Sequence, residues 1–239
     1  MSSRYGFETI DECAGCSWQR KDFFCAFGQP SLAVWSSKAF SVVYPAGAVL
    51  FAEGQPSRGA MMICRGRVKL SVTSSAGRTI VTRVVDEGEL IGLGNVLQGL
   101  PHDETAETME PTQVKFIRSE DLEAFLESDP AASFRAALEL SRECSENQST
   151  LRTLGLSSSA KARLAALLVQ WLEKRGKTVD GDVRLPLPMT HQEIGQMIGA
   201  SRETVTRLMG ELRGDGVIAT RKSTVIVRHP EELQLLAQA

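Results

Sequence analysis

Three cysteines crowd the start of this 239-residue chain, in the pattern Cys13-x2-Cys16-x8-Cys25. Cysteine thiolates are soft ligands suited to iron–sulfur clusters and zinc, and three on one short segment can wrap a single centre. The alternatives are a redox-active pair at Cys13 and Cys16, or thiols that ligate nothing. The trio is therefore a candidate metal site.

A fourth ligand for this trio is not fixed by spacing. Cys64, in Ile63-Cys-Arg-Gly66, and Cys144, in a helical stretch, are the two remaining cysteines, and Asp22 or His102 are non-cysteine alternatives. Cys64 can equally be a small buried hydrophobic residue, and Cys144 a helix-seam residue. Five cysteines without an export signal argue against a disulfide framework.

A second candidate site lies in the run from Ser201 to Arg207. At helical spacing four polar side chains share the face opposite the apolar Val205: Arg202, Glu203, Thr206 and Arg207. Arginine can bond bidentately to guanine, and glutamate can accept from the cytosine amino group, in the DNA major groove. The alternative is a solvated face with an Arg207–Glu203 pair at i, i+4.

The elements before this run support a DNA-reading unit. Thr190-His-Gln-Glu193 is a capping-box pattern that predicts one helix, ending near Gly199, and Ser201 can cap the next. Two helices around a glycine-containing turn form a helix-turn-helix. Thr190 and Ser201 join the candidate DNA-binding residues, and two strands, Val217–Thr220 and Thr224–Arg228, are predicted to form a wing.

Charge is divided unevenly along the chain. Residues 1–150 carry 14 Lys and Arg against 20 Asp and Glu, a net charge of −6, and residues 151–239 carry 13 against 9, a net charge of +4. Phosphate neutralisation needs local positive charge, so the second half is the part expected to approach nucleic acid. With 42% hydrophobic and 23% charged residues, intrinsic disorder and collagen-like structure are excluded.

Short apolar runs punctuated by Gly54, Gly66, Gly77 and Gly88 predict an antiparallel β-barrel in the first half. Its candidate strands are Ala48–Ala52, Met61–Cys64, Arg67–Thr73, Arg78–Val85 and Val114–Ile117. The glycines are predicted to be turn residues at positive φ.

A long helix is expected after Asp129-Pro130, through Leu154. At coiled-coil spacing one stripe of this helix is formed by Ala137, Ser141, Cys144, Gln148 and Leu151. The helix either packs on its own barrel or pairs with its copy in a dimer. A further amphipathic helix, Lys161–Lys174, follows, and Gly176–Pro188 is expected to be a loop or short hairpin.

This order of elements resembles the Crp/Fnr family of bacterial transcription regulators. The most specific match is Met189-Thr-His-Gln-Glu-Ile-Gly-Gln-Met-Ile-Gly-Ala-Ser-Arg-Glu-Thr-Val-Thr-Arg-Leu-Met209. The resemblance implies an α+β fold with a cyclic-nucleotide-binding-like antiparallel β-barrel, a long dimerisation helix and a winged helix-turn-helix. The corresponding segments are a cysteine-containing segment at 1–30, the barrel at 31–128, the dimerisation helix at 129–156 and the DNA-binding domain at 157–239.

The family resemblance also implies partners and a signal. It implies a homodimer on an inverted-repeat operator with TGA-containing half-sites, contacting RNA polymerase. In the Fnr type, an N-terminal cysteine trio and one barrel cysteine hold an oxygen-labile 4Fe-4S cluster. This sequence departs from that pattern, because its second cysteine gap is longer and Lys115 occupies the slot of the barrel cysteine.

The barrel of this family commonly binds a cyclic nucleotide through Gly-Glu and Arg-Ser pairs. Here Asn95 or a nearby apolar residue occupies the glutamate slot, and Asp103-Glu104-Thr105 replaces Arg-Ser. Carboxylates would repel a phosphate, so cyclic AMP is not expected. A small molecule or haem in the barrel, with Cys64 or His102 as an axial ligand, is the alternative to a cluster.

An enzyme is not expected, because the sequence has no nucleophile elbow or P-loop lysine motif and its three histidines, His102, His191 and His229, are scattered. No run reaches the ~20 apolar residues of a membrane span. The chain is therefore expected to be cytoplasmic.

Overall fold

The computed structural model describes residues 9, 10, 12, 13, 16, 23–179, 182–187, 189–221 and 223–238. The chain divides into two compact units. The N-terminal unit comprises Met1–Ser74 with Thr82–Glu146, and the C-terminal unit comprises Ser75–Val81 with Asn147–Ala239. No helix among the described residues is long and apolar enough to cross a membrane.

Two four-stranded antiparallel sheets form the barrel of the N-terminal unit, in the orders β1-β8-β3-β6 and β2-β7-β4-β5. The strands are β1 (Phe40–Tyr44), β2 (Val49–Phe51), β3 (Gly59–Arg65), β4 (Val68–Thr73), β5 (Thr79–Val85), β6 (Leu90–Ile91), β7 (Thr105–Thr108) and β8 (Thr112–Arg118). Inward side chains such as Ile63, Val68 and Val114 fill the space between them. The predicted barrel is confirmed.

Glycines close the turns between these strands, as predicted. Gly54, Gly66, Gly77 and Gly88 all have positive φ, at 80°, 89°, 77° and 90°. A residue with a Cβ is strained in this left-handed region, whereas glycine has no Cβ and adopts it freely. At Gly66 a Cβ would also lie 2.7 Å from the carbonyl oxygen of Pro111. Both the positive φ and this close approach therefore favour glycine at the turn into β4.

Four helices complete the N-terminal unit: α1 (Gln29–Lys38), α2 (Leu93–Gln98), α3 (Ser119–Ser128) and α4 (Pro130–Leu156), the last of which extends into the C-terminal unit. Trp35 of α1 is fully buried, and its ring meets Phe24, Phe27 and Phe125 with centroid separations of 5.3 to 6.0 Å. This aromatic cluster anchors the segment that carries Cys25 against the barrel.

Helix α4 begins where the Asp129-Pro130 signal predicts. The Asp129 carboxylate accepts hydrogen bonds from the backbone N–H groups of Ala131 and Ala132, at 2.9 and 3.1 Å. Its buried face consists of Ala132, Ala136 and Glu139. The predicted stripe lies exposed instead: Ala137, Ser141, Cys144, Gln148 and Leu151. The helix does pack on its own barrel, as the first alternative predicts, but through Ala132, Ala136 and Glu139 instead of this stripe. Pairing of the stripe with a second copy stays a prediction.

The C-terminal unit is a helix-turn-helix with a small sheet. Its elements are α5 (Ala160–Arg175), β9 (Lys177–Val179), β10 (Asp182–Pro186), α6 (His191–Ile198), α7 (Arg202–Gly214), β11 (Ile218–Arg221), β12 (Thr224–Val227) and α8 (Pro230–Gln238). Apolar side chains including Leu164, Leu168, Ile194, Leu208 and Val225 form one core.

The wing is larger than predicted. Strand β10 pairs antiparallel with β12, so the sheet has four strands in the order β11-β12-β10-β9. Two of these come from the stretch expected to be a loop or short hairpin. Leu185 and Val225 are register partners, and both side chains are buried in the core of this unit. Burial on one face of the sheet explains why this hairpin joins the wing.

Candidate functional site

Side-chain caps fix the ends of the two helices of the helix-turn-helix. Thr190 and Glu193 form the predicted capping box: the Glu193 N–H donates to Thr190 Oγ1 at 3.2 Å, and the Thr190 N–H donates to Glu193 Oε2 at 2.9 Å. Helix α6 ends at Gly199, which has a left-handed conformation. Ser201 Oγ then accepts from the Thr204 N–H at 3.2 Å and starts α7. The two caps set where the outward face of α7 begins.

Helix α7 has one apolar and one polar face. Val205, Leu208, Met209 and Leu212 are buried against the core of the C-terminal unit. The four predicted reading residues all lie exposed on the helix: Arg202, Glu203, Thr206 and Arg207. Their positions match the arrangement that sequence spacing predicts, and their role in DNA reading stays a prediction.

The ion pair on this face differs from the predicted alternative. Arg207 pairs with Glu211, four residues later, rather than with Glu203. Glu203 instead accepts hydrogen bonds from its own backbone N–H and from Ser201, which hold the pKa of its carboxyl below the ordinary value. The Glu203 carboxylate is thus a charged acceptor, suited to a cytosine amino group.

Four cysteines line one cavity in the N-terminal unit. Cys13, Cys16 and Cys25 meet Cys64 of β3 there. The cavity walls are mainly apolar and include Ile10, Leu32, Trp35, Met62 and Ile63. Cys144 is not among the lining residues and lies exposed on α4. Of the two cysteines considered for the fourth position, Cys64 is the one beside the trio.

The cavity disfavours charged sulfur where it is deepest. Burial raises the pKa of the Cys25 thiol to about 12, and the neighbouring Cys16 and Cys13 add to the shift. Burial likewise raises the pKa of Cys64 to about 12, opposed by the positive charge of Lys115. These thiols stay protonated at neutral pH unless a cation or metal takes up the negative charge.

Lys115 is a cation that lines this cavity. Its Nζ donates to Cys13 Sγ at 3.0 Å. Lys115 of β8 is the register partner of Met62 of β3, and Cys64 follows at the register shift between Ile63 and Arg65. Lys115 and Cys64 both line the cavity. Sequence reasoning placed Lys115 in the slot of the family's barrel cysteine but missed its contact with Cys13. No local spacing in the sequence signals this contact, because the two residues lie 102 positions apart.

The other residues considered as ligands lie elsewhere. Asp22 is outside the described residues. His102 does not line the cavity; its ring stacks on Phe51 with 3.8 Å between centroids, and burial lowers its pKa. Among the described residues, no group of three or more histidine, cysteine, aspartate or glutamate side chains forms a ready-made site for one metal ion.

Carboxylates surround Arg83 in the interior of the N-terminal unit. Arg83 of β5 is buried and faces Glu146 and Glu143 of α4, at 3.5 and 4.0 Å. Its charge also acts on three further carboxyl groups, whose pKa values are raised by burial: Glu89, Glu104 and Glu139. Arg142 also pairs with Glu139, at 3.0 Å, so these five carboxylates outnumber the two arginines beside them and the region is acidic.

Hydrogen bonds within the segment 95–105 hold the residues that replace the family's nucleotide-binding pairs. The Asn95 amide donates to the carbonyl of Pro101 and to Asp103, both at 3.1 Å. Glu104 accepts from the Thr82 hydroxyl. No basic side chain occupies the 103–105 stretch, where the resemblance expects Arg-Ser. An incoming phosphate would meet acceptors and negative charge here.

Comparisons with known proteins agree with both units. Residues 41–129 match the cyclic nucleotide-binding domain, and residues 162–236 match the Crp-like helix-turn-helix domain. The chain belongs to the Crp/Fnr family of transcriptional regulators. It therefore carries a cyclic-nucleotide-binding-type barrel, a long helix and a DNA-binding helix-turn-helix, and the family consists of regulators rather than enzymes.

Individual relatives of this Crp/Fnr chain respond to different signals. It is 24% identical to the CRP-like cAMP-activated global transcriptional regulator of Mycobacterium tuberculosis, over 90% of this chain and 95% of the relative. It is 25% identical to the anaerobic regulatory protein of Bacillus subtilis, over 77% of each. A Crp/Fnr transcriptional regulator from Thermus thermophilus superposes with a TM-score of 0.66 at 25% identity, covering 84% of this chain and 99% of that one.

Proposed function

We propose that this chain is a homodimeric, sequence-specific transcription regulator whose state is set by an iron–sulfur cluster held by Cys13, Cys16, Cys25 and Cys64. One observation carries the proposal: Cys64 of β3 lines the same cavity as the N-terminal cysteine trio. The exposed polar face of α7 supports the DNA-binding part of the proposal. The DNA partner is an inverted repeat with TGA-containing half-sites, and the protein partner is RNA polymerase.

The donor set at the cavity supports a cluster of the 4Fe-4S type. Four sulfur ligands are what such a cluster requires. The apolar walls and the raised pKa values of Cys25 and Cys64 mean that these thiols ionise only when a metal replaces their protons. When bound, the cluster supplies sensitivity to oxygen or redox state. The anaerobic regulatory protein of Bacillus subtilis is a relative whose name fits such a signal.

Contacts between the cysteine segment and α4 support a route for the signal. The Arg135 guanidinium donates to the carbonyl of Phe23 at 3.0 Å, and the Arg142 guanidinium lies 5.6 Å from the centre of the Phe23 ring. Phe23 is two residues from Cys25, so a change at the cysteines moves a group that touches α4. The cluster state would thereby change the helix that pairs two copies.

Homodimerisation is supported by the exposed stripe of α4. Leu151 is 70% exposed and Phe134 is 66% exposed on this helix. Large apolar side chains exposed along one helix are typical of a helix that pairs with a copy of itself. We expect a dimer in sedimentation equilibrium and a monomer for Leu151→Glu, with Arg152→Glu as the control. A monomeric wild type in the cluster-loaded state contradicts this part of the proposal.

The ligand assignment is tested by anaerobic reconstitution with iron and sulfide. Wild type and Cys144→Ala should take up about four irons and four sulfides per chain. They should also gain broad absorption near 400 nm, and Cys64→Ala should lose both. Uptake by Cys64→Ala equal to wild type refutes Cys64 as the fourth ligand, and no uptake by wild type refutes the cluster.

Thiol redox control at the same cysteines is a second candidate, favoured by the Lys115 Nζ to Cys13 Sγ contact of 3.0 Å. A nearby ammonium stabilises negative charge on sulfur, and the thiolate is the form that attacks oxidised sulfur. Iron-free wild-type protein that loses two titratable thiols on oxidation, with a matching change in DNA affinity, would favour this candidate over the cluster.

Control by cyclic AMP is not part of the proposal. The carboxylates around Arg83 and the acidic 103–104 stretch would repel its phosphate. Isothermal titration calorimetry with cyclic AMP should give no binding heat, and saturable binding would contradict this.

The DNA-reading role is tested by selection from random duplexes followed by gel-shift titration. Arg207→Ala should lose about 1–3 kcal/mol of discrimination at one base pair per half-site, while its salt-dependent binding to unrelated DNA persists. Arg175→Ala, on α5, is the control. An Arg207→Ala protein that keeps the wild-type preference refutes the assignment.

A further inference from the structure

The hydroxyl group of Thr206 makes two contacts with other groups of the protein. Thr206 Oγ1 donates to the backbone carbonyl of Arg202 at 2.9 Å, one turn back on α7. The same oxygen lies 2.8 Å from Nδ1 of His191, the first residue of α6.

A hydroxyl has a single proton and a carbonyl can only accept, so the hydrogen bond to Arg202 uses the Thr206 proton. The Thr206 proton goes to the Arg202 carbonyl, which leaves the oxygen to accept from His191 Nδ1–H. With His191 assigned as the Nδ1–H tautomer, its Nδ1–H holds the threonine side chain in one rotamer.

With its hydroxyl turned towards the protein, Thr206 has its methyl group left for contact with a partner. Thr206 is exposed and lies on the same helix face as Arg202, Glu203 and Arg207. In the major groove the 5-methyl group of thymine is the apolar feature that distinguishes base pairs.

We infer that Thr206 recognises a thymine through contact between the two methyl groups, and that His191 is the residue that positions it. The inference rests on the proposed DNA-reading function and adds one base position and one positioning residue to it. Thr206 is thereby a methyl reader rather than a hydrogen-bonding residue.

Deoxyuridine tests this directly, because it differs from thymidine at the base only by the missing methyl. In the duplex selected by the full-length protein, each thymine is replaced in turn, symmetrically in both half-sites, and affinities are measured by gel shift. Wild type should show one position at which the replacement weakens binding, by roughly fourfold per half-site, the value of one buried methyl group.

Two substitutions separate the methyl from the hydroxyl. Thr206→Val keeps the methyl and should keep the preference for thymine over uracil, whereas Thr206→Ser keeps the hydroxyl and should lose it. His191→Ala should reduce the preference below about twofold, since only the hydrogen bond to the Arg202 carbonyl then holds the threonine rotamer. His191→Asn, whose amide can donate in place of Nδ1–H, should restore it.

The outcomes separate this inference from the function on which it rests. Sequence-selective binding with no uracil-sensitive position, or a thymine preference retained by Thr206→Ser, overturns the inference alone. A protein that selects no sequence at all overturns the DNA-reading function and the inference together.

Discussion

Replacing Glu89 with glutamine should stabilise the N-terminal unit in a pH-dependent way. Glu89 lies between β5 and β6, among the carboxylates around Arg83, and burial raises its pKa from 4.5 to about 7 despite the attraction of Arg83. Glu146, Asp86 and Glu139 raise it further by repulsion. Glutamine has nearly the same shape and never ionises.

The magnitude follows from linkage between protonation and folding. The folded state keeps the Glu89 proton up to about pH 7, whereas the unfolded chain loses it near pH 4.5. Between these values the folded state binds more protons, so wild-type stability falls as pH rises. The penalty is absent below pH 4.5 and complete above pH 7, where it amounts to roughly 3 kcal/mol.

Urea unfolding of the N-terminal unit measures this penalty. In a Trp171→Phe background the fully buried Trp35 reports the unfolding of that unit. The stability gain of Glu89→Gln over wild type should grow by roughly 2 kcal/mol between about pH 5.5 and pH 8.5. Glu127→Gln, at an exposed site on α3, should show no such growth. A gain for Glu89→Gln that is constant with pH, or that shrinks as pH rises, refutes the reasoning.

Three further predictions concern the core, a helix cap and the cysteine cavity. Trp35→Ala should cost the N-terminal unit about 3–5 kcal/mol in urea unfolding, because Trp35 is fully buried, and should leave the unfolding of the C-terminal unit unchanged. Thr190→Val removes the capping-box acceptor and should lower the stability of the C-terminal unit by about 1 kcal/mol in thermal unfolding; no change would mean that the cap is not needed. Lys115→Met should slow the alkylation of Cys13 in iron-free protein by about tenfold, followed by peptide mass spectrometry, because it removes a charge-assisted hydrogen bond to the sulfur. Lys69→Met is the control, and equal rates for both variants would contradict the role given to Lys115.

Local patterns were enough to predict most of the architecture. The turn glycines Gly66 and Gly88 mark strand ends because positive φ is a local property of the chain. The Thr190–Glu193 capping box and the Ser201 cap locate α6 and α7 for the same reason. The outward face of α7 then follows from helical spacing.

Features that depend on contacts between residues far apart in the sequence, or on few buried side chains, could not be predicted. Helix α1 was missed because only Leu32 and Trp35 are buried on it, too few for a periodic signal. The pairing of β10 with β12, which enlarges the wing, joins residues about forty positions apart. Helix α8 has a single fully buried residue, Leu233, and gave no signal.

The cysteine cavity shows the same limit. The trio was visible as a cluster in the sequence, but the choice between Cys64 and Cys144 depends on β3 lying beside β8. The contact of Lys115 with Cys13 joins residues 102 positions apart. Neither could be deduced from spacing, because spacing constrains only residues that share an element.

The central claim is that the state of the cysteine centre controls DNA binding, and one paired measurement tests it most directly. Operator affinity is measured by anaerobic gel shift on reconstituted wild-type protein, and again on the same sample after air exposure and removal of released iron, with Cys144→Ala treated in parallel. The account predicts that affinity for the selected operator changes at least tenfold as iron is lost, and equally in both proteins, while binding to unrelated DNA changes little. Equal operator affinity before and after iron loss would contradict it.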